Sequence, residues 1–191
     1  MGWKICVLAA VVGIAAGVGS ALLATQGGMD GGIRAGAWST NVTVGAASAD
    51  PWTRATVARA GLLALSADQA VYFNRSADSE GRPLDARCTY RLSGGPQPAA
   101  WWSVTLYAED QYLARNTDSA SSIDATLAGN GAWTALVGPD RPPSGMWIST
   151  RASKRPVLML RLYSPRSIAA DVLAKIKGPD VVRFSCPGEE A

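Results

Sequence analysis

The hydrophobic pattern divides the chain into three stretches. From Ile5 to Ala24 it reads ICVLAAVVGIAAGVGSALLA, without a charge. A helix of that length spans roughly 30 Å at about 1.5 Å per residue, the thickness of a bilayer's apolar core. Residues 1–25 therefore predict a transmembrane anchor contacting membrane lipid through residues 5–24. A cleaved secretory signal is the alternative. Such signals have a shorter apolar run, typically about 7 to 15 residues, and a defined small-x-small site, which here is blurred among Gly17, Gly19, Ala21 and Ala24. Lys4 precedes the segment and Asp30 and Arg34 follow it, so the positive-inside bias predicts a single pass through the inner (cytoplasmic) membrane. The amino terminus is then cytoplasmic and the carboxy-terminal domain periplasmic or extracellular. Residues 26–49 read as a Gly-rich tether and lead-in, and residues 50–191 as one exported β-rich domain.

Within that domain, Asp50-Pro51 predicts a helix start, with an N-cap carboxylate and a proline where the missing N–H costs nothing. Ala55, Arg59, Leu62 and Leu63 mix apolar and basic positions on a helix expected to reach Ser66. A second start of the same kind is Ser164-Pro165, followed by Ile168, Val172, Leu173 and Ile176 at helical spacing and stopped at Gly178-Pro179. Between the two, β-branched and aromatic runs alternate with turn signals such as Asp78-Ser79-Glu80-Gly81 and Ser93-Gly94-Gly95-Pro96. The predicted strands are 70–74, 87–92, 101–107, 111–114, 132–137, 146–150, 157–163 and 181–186. So many short strands predict an antiparallel β-sandwich or jelly-roll-like domain with two flanking helices.

Alternation assigns faces, because successive strand residues point to opposite sides. Trp102, Val104 and Leu106 make one core face and Leu158, Leu160 and Leu162 another. Ser103, Thr105, Tyr107, Arg161 and Tyr163 are left on the opposite side. Cys88 shares its parity with Tyr90 and Leu92, and Cys186 with Val182 and Phe184, so both sulfurs are expected to point inward. A Cys88–Cys186 disulfide is the simplest reading for an exported pair, two separate buried thiols being the alternative.

Composition narrows the chemistry. The net charge is +3 and the basic residues are scattered rather than gathered into a stripe, so no nucleic-acid partner is expected. The chain has no histidine. That removes Ser-His-Asp and Cys-His catalysis and nearly all zinc sites, and no cofactor or metal is predicted.

Trp101–Tyr107 (WWSVTLY), Tyr112-Leu113, Asn116 and Leu158–Pro165 (LMLRLYSP) together resemble the bacterial domain-of-unknown-function family 1214 (DUF1214). Tyr72-Phe73, the run from Gly81 to Asp85, and Tyr90 extend the likeness, which covers residues 70–184. The resemblance implies a β-sandwich, jelly-roll-like fold, here in a short membrane-anchored form. It implies no activity. The chain departs from longer members in the Y-A-E-D segment after the first motif and at Gly145-Met146-Trp147-Ile148.

Three sets of residues could carry function. The non-core face of Ser103, Thr105, Tyr107, Arg161 and Tyr163 suits an anionic or sugar-like ligand through charge-assisted hydrogen bonds and ring stacking, if the two strands are neighbours. Its bland alternative is a solvated or helix-covered face with Arg161 bound to a carboxylate. Glu109, Asp110, Asp118 and Asp124 could include a glycosidase-like pair, or be solvated turn residues. Trp101, Trp102, Trp133 and Trp147 could form a glycan platform, although parity puts Trp102 in the core. The expectation is a non-catalytic, membrane-tethered module for a small molecule, a glycan or an envelope protein. A carboxylate-based glycan-active enzyme is one alternative. A structural subunit packing through Gly13, Gly17 and Ala21 is another; the oligomeric state is left open.

Overall fold

In the computed structural model, residues 2–26, 32–59, 65–110 and 112–188 are described. α1 (Gly2–Gln26) is followed by β1 (Ile33–Ala35), β2 (Trp38–Thr40), α2 (Pro51–Arg59), β3 (Ala70–Arg75), β4 (Thr89–Gly94) and β5 (Ala99–Tyr107). Then come β6 (Ser122–Asp124), α3 (Ala125–Ala128), β7 (Trp133–Gly138), β8 (Met146–Ser149), β9 (Val157–Pro165), α4 (Ala170–Leu173) and β10 (Asp180–Ser185).

The strands form two sheets, ordered β1-β2-β3-β9-β5-β6 and β10-β4-β7-β8. Their inner faces meet in one core. Val71, Phe73, Val104, Leu106, Leu160 and Leu162 come from the first sheet, and Tyr90, Leu92, Val137, Ile148 and Val181 from the second. Each fully buried aliphatic side chain here contributes about 1.5–3 kcal/mol. Trp102 stacks on Trp133 across the layers, with centroids 5.0 Å apart. The chain is thus a mainly β, two-layer sandwich. All pairs are antiparallel except β7–β8, which runs parallel with Ala135 beside Met146 and Val137 beside Ile148, so the second sheet is mixed.

The amino-terminal helix forms as expected. Gly2–Leu23 is long and apolar enough to cross a membrane, with a mean hydropathy of 2.4, and its apolar side chains are exposed all round. That is inconsistent with a buried core helix. A signal sequence satisfies the same length and composition.

Asp50 caps α2, its Oδ1 accepting from the N–H groups of Trp52 (2.9 Å) and Thr53 (3.1 Å). Among the described residues α2 ends at Arg59, and Leu62 and Leu63 lie outside them. The predicted helix start at Ser164-Pro165 is corrected. β9 continues through both residues, Pro165 pairs with Ala99, and the Ser164 N–H donates to the carbonyl of Gln69 (2.8 Å). Strands on both sides of β9 outweigh the local cap signal, leaving one short helical turn at 170–173. The strand expected at 111–114 reduces, among the described residues, to a bridge between Tyr107 and Leu113. β1, β2 and β6 are additions that the pattern did not show, being too brief to establish a period.

The parity of the last strand is also corrected. Val182 and Phe184 are exposed while Val181 is fully buried. Arg183 is the residue paired with Tyr90, and its guanidinium lies over the Tyr90 ring, 5.9 Å from the centroid, and 3.5 Å from the buried Asp78.

Candidate functional site

The six-stranded sheet supplies a grid of side chains on its outer face. β9 lies between β3 and β5, so Arg161 stands opposite Tyr72 on one side and Ser103 on the other. Ser103 in turn faces Asp124. The next row runs Asn74, Met159, Thr105 and Ser122. Tyr163 pairs with Trp101, and their rings are 5.3 Å apart and tilted by 55°. The Arg161 guanidinium carbon lies 5.3 Å from the Tyr107 ring centroid. All five residues expected on this face therefore come together, because β5 and β9 are antiparallel neighbours.

The face is not an open, wetted sheet. Ser103, Thr105, Tyr107 and Met159 are buried, and Arg161, Tyr163, Tyr72 and Asn74 are half-buried. The Leu65 N–H donates to the Tyr72 hydroxyl (3.2 Å). Two polar atoms on the face are buried without a hydrogen-bond partner among the described residues, Arg161 Nε and Asn74 Oδ1. Among the described residues no carboxylate pairs with Arg161. A buried donor or acceptor left unsatisfied costs about 1–3 kcal/mol. One N–H donor and one carbonyl acceptor, beside a cation–π contact and two further rings, match a molecule that presents an oxygen acceptor, a hydroxyl or amide donor, and a flat or apolar surface.

Tyr72 and Asn74 also lie on this face and were not among the expected candidates. Alternation along residues 70–74 separates Tyr72 and Asn74 from Val71 and Phe73. Their place beside Arg161, however, depends on β3 pairing with β9, which no local signal records.

The acidic residues are engaged elsewhere and do not gather. Asp124 caps α3 through the N–H groups of Thr126 (2.8 Å) and Leu127 (3.1 Å). Asp110 accepts from the Tyr112 N–H (3.0 Å). Asp118 accepts from the Ser149 hydroxyl (2.6 Å) and pairs with Arg151 (3.0 Å). Glu109 accepts from the Ser153 hydroxyl (2.8 Å) and the Lys154 N–H (3.2 Å). Its own backbone N–H, then these two donors, hold its pKa down to about 2, the opposite of what a general acid requires. The four tryptophans do not form a platform either. Trp102, Trp133 and Trp147 are buried, and Trp101 alone of the four is exposed.

Cys88 and Cys186 form a disulfide with Cα atoms 4.2 Å apart, closing a separation of 98 residues. It joins β4 to β10 within one sheet rather than bridging the two layers.

An apolar amino-terminal helix, a two-sheet sandwich and a half-buried polar face around one arginine describe a β-sandwich protein with a candidate binding face. By sequence the chain belongs to a family described as protein of unknown function (DUF1214), matched over residues 69–167. That match takes in β3 to β9, which include every residue of the candidate face, and stops before α4 and β10. The fold is similar to that of the VPA0106 protein from Vibrio parahaemolyticus, at a TM-score of 0.57 and 18% identity over 92% of this chain. This chain spans 44% of that protein's length. A putative uncharacterized protein from Burkholderia cenocepacia is similar over 60% of this chain and 29% of its own, at 15% identity and a TM-score of 0.44. No curated protein matches the chain.

Proposed function

We propose that this protein is a single-pass, membrane-tethered module of the cell envelope, with its sandwich on the periplasmic or extracellular side. It binds a small polar molecule, a glycan or an envelope protein without transforming it, through Ser103, Thr105, Tyr107, Arg161 and Tyr163. One observation carries the reading: the Arg161 Nε–H is buried with no acceptor among the described residues, within a row of polar and aromatic side chains. The unpaired Asn74 carbonyl on the same face supports it. The apolar helix and the Gly-rich residues after it support the tether.

The deciding experiment is a ligand screen by thermal shift on the full chain in neutral detergent, repeated with Arg161→Ala. Ligands that stabilise the parent and not the variant support this face as the site. Ligands that stabilise both equally place binding elsewhere, and turnover of any of them would overturn the non-catalytic reading. Fractionation and protease protection of spheroplasts test the topology; a domain shielded from external protease would contradict it.

A further inference from the structure

Alternation along β3 sends Asn74 to the outer face and Arg75 to the inner side, where Arg75 meets different surroundings. It is 4% exposed. Its Nε donates to the carbonyl of Ala77 (2.8 Å), Nη1 to that of Pro179 (3.1 Å), and Nη2 to the Ser79 hydroxyl oxygen (3.1 Å). Its charge also lies over Trp38, 5.7 Å from the ring centroid. Among the described residues no carboxylate forms an ion pair with it. Burial lowers its pKa, and Asp180 and Asp78 partly offset that from a distance. A buried charge held by neutral acceptors and only distant carboxylates keeps part of its burial cost, which a closer anion would lower.

Arg75 borders a cavity of about 420 Å³ between the β1–β2 turn and the connection from α4 to β10. Trp38, Ser79, Lys175, Lys177 and Asp180 also line it, so three cations and one carboxylate border it, Lys175 also lying 4.0 Å from the Asp171 carboxylate. The Ser79 oxygen already accepts from Arg75 and from the Val181 N–H (3.3 Å). Its two lone pairs are thus occupied and its hydroxyl hydrogen is free to donate. Of the five N–H bonds of the guanidinium, three are used and two remain.

We propose that this cavity is an oxyanion site, taking a phosphate group on the Ser79 hydroxyl and the Arg75 guanidinium, with Lys175 and Lys177 closing over it. It is independent of the ligand face around Arg161, since the two arginines point to opposite sides of one sheet. Both lysines are exposed, so replacing them spares the core.

The test is calorimetric titration of the full chain in neutral detergent with inorganic phosphate, at ionic strength held constant with chloride. One saturable site is expected, weakened about tenfold or more in Ser79→Ala and in the double variant Lys175→Glu/Lys177→Glu, and unchanged in Arg161→Ala. Absence of saturable binding, or equal binding by both variants with unchanged circular dichroism, would overturn the proposal. Repeating the titration in nanodiscs of phosphatidylcholine, with and without phosphatidylglycerol, separates two sources of the anion. Competition by the acidic lipid assigns a headgroup, and its absence assigns a soluble phosphate compound; either result retains the site.

Discussion

Cys186 stands across the ladder from Cys88 although Phe184, which shares its parity, is 66% exposed. A register shift between Arg183 and Ser185 reconciles the two: Arg183 pairs with Tyr90 and Ser185 with Thr89, leaving Phe184 as the extra residue of a β-bulge. The bulge reverses the alternation just before the cysteine. Non-reduced mass spectrometry should recover the Cys88–Cys186 peptide pair, and inserting one alanine after Phe184 should free both thiols. Replacing both cysteines with serine should lower unfolding free energy by as much as ~4 kcal/mol on the chain-entropy account of a long loop, measured by urea denaturation.

Arg161 has neither a hydrogen bond at Nε nor an ion pair among the described residues, so its side chain adds little to stability beyond its contact with Tyr107. Arg161→Ala should shift unfolding free energy by only about 1 kcal/mol while abolishing binding at the outer face. A loss of several kcal/mol in a denaturant melt would show a structural arginine instead.

Glu109 gives a pH dependence of known sign. Its pKa is 4.5 in an unreserved setting and about 2 in the fold, so between these values the unfolded chain binds more protons and stability falls as pH falls. Its contribution is complete above about pH 4.5 and lost by about pH 2. Glu109→Gln should flatten this part of a stability profile, read from urea midpoints across the acid range. A variant with the same acid slope as the parent would contradict the assignment.

Gly178 passes directly beneath Trp38. A Cβ at that position would lie 2.6 Å from the indole, whose Nε1–H donates to the Pro179 carbonyl (2.9 Å). Gly178→Ala should therefore destabilise by about 1–3 kcal/mol through overpacking and quench or shift tryptophan emission. Gly131→Ala, where a Cβ meets nothing within 4 Å, is the control expected to leave the melting temperature nearly unchanged.

What the sequence determined by itself was whatever depends on near neighbours along the chain. The apolar run from Ile5 to Ala24 dictated its helix, Asp50 its cap, and strict alternation in 101–107 and 157–163 the two faces of β5 and β9. The same alternation selected Ser103, Thr105, Tyr107, Arg161 and Tyr163 as a group. It did not reveal that Asn74 and Tyr72 join them or that the face is half-buried. Nor did it show that β9 runs past Ser164 or that Phe184 breaks the parity of β10. These depend on which strands pair and in what register, and pairing free energy comes from residues distant in sequence, where no local period carries information. The tertiary structure also decided the fate of the charges: it engaged Glu109, Asp110, Asp118 and Asp124 in loops and caps, and left Arg161 half-buried and Arg75 buried, neither in an ion pair among the described residues.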